Sequence, residues 1–108
     1  MPRALSIARV RVATENEGEY LAVVAELAAL AEARGQHLWV FRHGADPHSF
    51  VEFSESRGAA DHRSVRSLSP RELALEARRA AVVEKLPGGD DLWIEVALRK
   101  PAPEARPA

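Results

Sequence analysis

Cysteine is absent from all 108 residues, which removes a disulfide scaffold, a thiolate metal site and a cysteine nucleophile together. Charge of one sign is lacking too. The formal net charge of -1 gives no general electrostatic pull toward nucleic acid or acidic lipid, so neither is expected as a partner. No long hydrophobic run occurs. Met1-Pro2-Arg3-Ala4-Leu5 leads into an alternating pattern instead of a continuous apolar stretch, so no signal peptide and no membrane span are expected, and the cytoplasm is the expected compartment. Nucleotide and nucleophile motifs are missing as well. Gly88-Gly89 does not lead from a strand into a helix start, and no Gly-x-Ser-x-Gly elbow is present.

What is there reads as one globular domain. With 46% hydrophobic and 29% charged residues the composition is neither that of a disordered segment nor that of a membrane protein. From Ser6 to Val12 the residues alternate, placing Ala8, Val10 and Val12 on one face of a strand and Ile7, Arg9 and Arg11 on the other. Thr14 and Glu17 have capping-box spacing, which predicts a helix start. Tyr20, Val23, Val24, Leu27, Leu30 and Ala31 then recur at helical spacing up to Gly35, which suits a left-handed cap. Next, His37 to His43 and Phe50 to Phe53 form two strand-like runs around Gly44-Ala45-Asp46-Pro47, a hairpin pattern. An interrupted helical region begins near Arg57. Ser69-Pro70-Arg71-Glu72 then starts a fresh helix that is predicted to run to about Lys85. Leu92 to Leu98 is predicted as the last strand, and residues 101–108 form a proline-rich tail that is expected to be flexible, leaving residues 1–100 as the domain.

The order strand, helix, strand, strand, helix, strand predicts an α+β, ferredoxin-like β-α-β-β-α-β sandwich, an antiparallel four-stranded sheet with both helices on one face. If the helices cover Val10, Val40 and Ile94, then Trp39, Phe41 and Trp93 lie on the opposite face. That patch needs cover, and a second copy of the chain would supply it, so a homodimer is expected. Arg9, Arg11, Glu95 and Arg99 share that face, which makes the covered space partly polar and suited to a pocket.

Several of these residues, in this order, resemble the antibiotic biosynthesis monooxygenase-like proteins of the dimeric α/β-barrel superfamily. The carriers are the opening strand, Tyr20, Trp39-Val40-Phe41-Arg42, Asp46-Pro47, Phe50-Val51-Glu52-Phe53 and Ala59-Ala60-Asp61-His62-Arg63-Ser64. The resemblance implies a homodimer whose sheets pack into a barrel, and oxidation of a phenolic, polyketide-like molecule by molecular oxygen without flavin or metal. Phe53 stands where the family often has a tryptophan nine positions before the helix histidine, here His62. The asparagine, tryptophan and histidine set of the haem-degrading branch is not found.

Within that resemblance His62 is the candidate catalytic residue, since a neutral imidazole near the sheet can orient or deprotonate a phenol. As a packing residue it would carry no chemistry. Trp39, Phe41 and Trp93 are candidate walls of an aromatic pocket or the core of an interface. Arg9, Arg11 and Arg42 are candidates to hold a carboxylate or phenolate oxygen, or else pair with Glu95 and Glu52. His37, His43, Asp46 and His48 are ligand types for zinc or iron, but their spacing is that of a solvated turn, and no cofactor or metal is expected. The alternative to an oxygenase is a non-catalytic dimeric ligand-binding or accessory protein of the same fold.

Overall fold

The computed structural model describes residues 2–59, 68–88 and 91–98. Its elements are β1 (Ala4–Arg11), α1 (Glu17–Ala33), β2 (His37–Arg42), β3 (Ser49–Ser56), α2 (Pro70–Val82), β4 (Glu84–Lys85) and β5 (Leu92–Ile94). The strands form one antiparallel sheet. Its order runs β2, β3, β1, and the far edge of β1 is shared by β4, opposite Val10 and Arg11, and by β5, opposite Ala4 to Ser6. This is the ferredoxin-like arrangement. The expected tail, residues 99–100 and the segment 60–67, which contains His62 and most of the interrupted helical region, lie outside the described residues.

α1 forms where the helical spacing predicts it, burying Tyr20, Val23, Val24, Leu27 and Ala31 on one stripe. Val10, Val12, Tyr20, Val24 and Phe50 make one core cluster; Val23, Leu27 and Leu75 make a second, and Leu38 packs against both. Gly35 takes φ 78 and turns the chain from α1 into β2, a conformation that costs a residue with a Cβ about 1 kcal/mol or more. At α2 the capping box is complete, with the Ser69 hydroxyl accepting from the Glu72 amide at 3.2 Å and Glu72 Oε1 accepting from the Ser69 amide at 3.4 Å. Glu72 also receives Arg34 from the end of α1. Arg71 to Glu26 at 2.6 Å and Arg78 to Glu19 at 3.0 Å lace the two helices further along.

Three local expectations are corrected. Thr14 and Glu17 do not form a capping box. Thr14–Asn16 is a short 3-10 turn, α1 begins at Glu17 with no side-chain cap, and the Glu17 carboxylate instead takes both ends of the Arg42 guanidinium at 2.9 Å. A bidentate, charge-assisted pair outweighs a single bond to a backbone amide. α2 stops at Val82, short of Lys85, because Val83 is extended (φ -114, ψ 149) and the chain turns to pair with β1. The last strand is Leu92–Ile94 only. Residues 95–98 carry no strand, and Ile94, expected beneath a helix, is half exposed.

Replacing Ser69 by alanine is expected to cost about 1 kcal/mol in urea unfolding. Thr14→Ala, which removes no cap, should stay within about 0.5 kcal/mol of the parent.

Candidate functional site

Strand register fixes what each face of the sheet carries, because successive side chains point to opposite sides. The helix side holds Ala4, Val10, Leu38, Val40, Phe50 and Glu52. The other side is open. Trp39 lies opposite Phe53, Phe41 opposite Val51, and Trp93 opposite Leu5, so the three aromatic residues singled out in the sequence share this face. Trp39 is 44% exposed, Phe41 57% and Trp93 55%, values that leave large rings in water. Phe41 meets the Phe53 ring edge-on, with centroids 5.5 Å apart.

The structure separates the three arginines expected together. Arg9 is exposed on the open face, and no ion pair of Arg9 is found among the described residues. Arg11 is also on that face but is bound to Asp46 at 2.8 Å. Arg42 is on the helix side, in the same alternation as Leu38 and Val40. There it grips Glu17, donates to the Pro47 carbonyl at 2.8 Å and lies 4.8 Å over the Phe50 ring. Its surroundings hold a helix start against a hairpin. They do not present it to a ligand on the aromatic face.

The hairpin histidines and Asp46 build the turn. His43 Nδ1 accepts from the amides of Ala45 and Asp46 at 2.9 and 3.0 Å, while Asp46 accepts from the Ser49 hydroxyl at 2.7 Å and the His48 amide at 3.1 Å. These donors, the Ser49 hydroxyl foremost, hold the Asp46 carboxyl below its ordinary value. His37 begins the strand that His43 follows, so about 20 Å of extended chain separates them. Among the described residues no three metal-binding side chains converge.

A buried polar network on the helix side was not foreseen from the sequence. Tyr20, fully buried on α1, donates its hydroxyl to Glu52 Oε2 at 2.6 Å, and Arg79 of α2 donates to both Glu52 oxygens at 2.9 and 3.2 Å. Arg79 also holds Glu76 at 2.9 Å. Burial, and then the bond to Glu52, push the Tyr20 phenol far above its ordinary value. Glu52 was expected to pair with Arg9, Arg11 or Arg42; its cation comes from α2 instead, while Arg11 takes Asp46 and Arg42 takes Glu17.

A second unforeseen cluster sits at the other end of the sheet. His37 Nδ1 is 2.9 Å from Glu55 Oε1, Arg3 donates to the same oxygen at 2.7 Å, and the His37 and Trp39 rings stack 3° from parallel. An open groove of about 480 Å³ is lined there by Arg3, Gly35, His37, Glu55, Ser56 and Arg57. Another, of about 540 Å³, lies between the start of α1, His48 and the end of α2.

The sequence matches no family model and no curated protein. Solved structures do match in three dimensions. A provisionally named antibiotic biosynthesis monooxygenase from Chloroflexus aurantiacus superposes with a TM-score of 0.72 at 17% identity, over 93% of this chain and 98% of that one. SnoaB of Streptomyces nogalater, a cofactor-independent oxygenase solved in a mutant form, gives 0.68 at 18% identity, over 94% and 98%. A provisionally named antibiotic biosynthesis monooxygenase from Nitrosomonas europaea gives 0.68 at 13%, over 89% and 90%. At these identities the likeness establishes the fold, which is the ferredoxin-like fold of antibiotic biosynthesis monooxygenase structures.

Tyr20 is the sole tyrosine, so its titration can be followed directly. The folded state keeps a proton that the unfolded chain releases above about pH 10. The network's contribution is therefore complete below that pH and is lost as pH rises. Tyrosinate absorbance should appear only together with alkaline unfolding. Arg79→Met, which strips Glu52 of its cation, should destabilise by about 3 kcal/mol in a denaturant titration.

Proposed function

We propose that the chain belongs with the antibiotic biosynthesis monooxygenase-like proteins and acts in the cytoplasm as a homodimer. Its reaction is oxidation of a small aromatic or polyketide-like phenol by molecular oxygen, without flavin or metal. The observation that carries this reading is the open sheet face, where Trp39, Phe41 and Trp93 stand exposed beside Arg9. A flat apolar ligand and a second sheet both gain from covering it. The likeness to SnoaB, whose own name describes a cofactor-independent oxygenase, supports the chemistry.

In such a reaction the substrate carries the redox burden. Loss of a proton gives an electron-rich anion that can donate an electron to oxygen. For an anthrone-like substrate one oxygen atom becomes the new carbonyl, and the other leaves as water with the two hydrogens of the oxidised carbon. The protein contributes desolvation, orientation and a proton acceptor. His62 was the acceptor implied by the resemblance, and it lies outside the described residues.

One observation favours the non-catalytic ligand-binding alternative. Among the described residues no buried side-chain nitrogen or oxygen lacks a hydrogen-bond partner, so the helix-side interior presents no unused base.

Light scattering on the folded chain at micromolar concentration should give twice the 11.8 kDa of one copy, and Trp39→Asp should halve that mass or unfold the protein. Oxygen uptake with an anthrone-like quinol decides between the two readings. Uptake well above the buffer rate supports the oxygenase, and binding without uptake supports the accessory protein.

A further inference from the structure

We infer that His37, oriented by Glu55, is a catalytic proton acceptor for a phenolic ligand in the groove at the start of β2. The inference rests on the reading that the chain handles a small phenol. Glu55 is largely covered, with 18% of its side chain exposed, and it is held by Arg3. An ionised carboxylate can only accept, so the hydrogen in the 2.9 Å contact belongs to His37 Nδ1. In the neutral ring the free lone pair is then on Nε2. No hydrogen bond of Nε2 is found among the described residues, 41% of the side chain is exposed in the single chain, and His37 lines the groove of about 480 Å³ at the end of the aromatic face, on the same side as Trp39. Carboxylate, imidazole and accessible Nε2 form the orienter-and-base geometry of general base catalysis.

His43 shows the contrast. Its Nδ1 accepts two backbone amides, so the neutral ring carries its hydrogen on Nε2 and offers no lone pair there. The groove also supplies a cation. Arg57 lies over Gly35, so close that a Cβ built on Gly35 would stand 3.0 Å from its Nη2, and no ion pair of Arg57 is found among the described residues. In the proton transfer the phenol O–H bond breaks and an Nε2–H bond forms. The imidazolium is stabilised by Glu55, and the phenolate is left beside Arg57. Glu55 is a positioning residue.

The test uses a hydroxyanthraquinone dye, whose visible band moves to longer wavelength on ionisation, at a pH below the dye's own transition. The full-length wild-type protein should bind the dye and hold a measurable fraction of it as phenolate. His37→Asn keeps a donor to Glu55 and loses the base. It should lower that fraction by about tenfold or more while binding changes far less, and with an anthrone-like quinol it should slow oxygen uptake by about 10²-fold. Glu55→Gln should lower the ionised fraction with binding retained, a change that a purely structural ion pair would not cause. Unaltered ionisation in folded His37→Asn, or loss of ionisation in His62→Ala alone, overturns the assignment, as does failure of the wild-type protein to bind the dye. The two readings fail separately. Dye ionised through His37 without oxygen uptake leaves this site standing and removes the oxygenase, whereas uptake unchanged in His37→Asn removes His37 and leaves the oxygenase.

Discussion

The carboxylate of Glu52 is the constraint on which the arrangement of this molecule turns. It is 5% exposed, and a charge so placed is tolerated only with its lone pairs occupied. The partners come from two different helices, Tyr20 from α1 and Arg79 from α2, so the carboxylate ties both to the central strand β3. Apolar packing alone can slide by a fraction of a turn at little cost. A hydroxyl and a guanidinium converging on two oxygens cannot, and the network therefore fixes how both helices sit over the sheet.

The same residue determines what the other face shows. A strand's side chains alternate, so committing Glu52 to the helices sends Val51 and Phe53 to the opposite side. Register with β2 then places Phe41 opposite Val51 and Trp39 opposite Phe53. Flipping β3 and β2 together by one residue would carry Trp39, Phe41 and Phe53 under the helices in exchange for Phe50 and turn Glu52 out to solvent, exchanging a satisfied network for an overfilled core. The exposed aromatic face is thus a consequence of the buried charge. Arg9, in the same alternation, adds a cation to a surface otherwise suited to flat apolar contact, and a ligand anion or a partner's carboxylate would complement it.

Much of this was legible in the residues because it is local. The α1 stripe, Gly35, the Ser69–Glu72 capping box and the hairpin all follow from spacings within one or two turns of chain. Long-range choices were not. Glu52 is 27 residues from Arg79, and nothing nearby marks either as the other's partner. The Thr14 cap failed for the same reason, since Arg42, 25 residues beyond Glu17, competed for the carboxylate. Arg42 itself was readable. Its parity with Leu38 and Val40 places it on the helix side, and grouping it with Arg9 and Arg11 by charge overlooked that. Division of the last edge between β4 and β5 depends on β1 offering its free side twice, which no spacing in the sequence reveals.

The two clusters built around glutamates put the proton to opposite uses. On the helix side Tyr20 keeps its proton because burial and Glu52 both oppose the phenolate, and the group is locked as a donor. At the start of β2 a carboxylate again faces a ring that bears a proton, but this ring has a second nitrogen and 41% of its side chain is exposed. Glu55 fixes one nitrogen as donor and thereby leaves the other as acceptor. A phenol has no second site, so the Tyr20 network can only hold structure. An imidazole has one, so the His37 pair can take a proton from something outside the protein. That difference between the two rings is why proton chemistry among the described residues belongs at the rim of the sheet and stability at its centre.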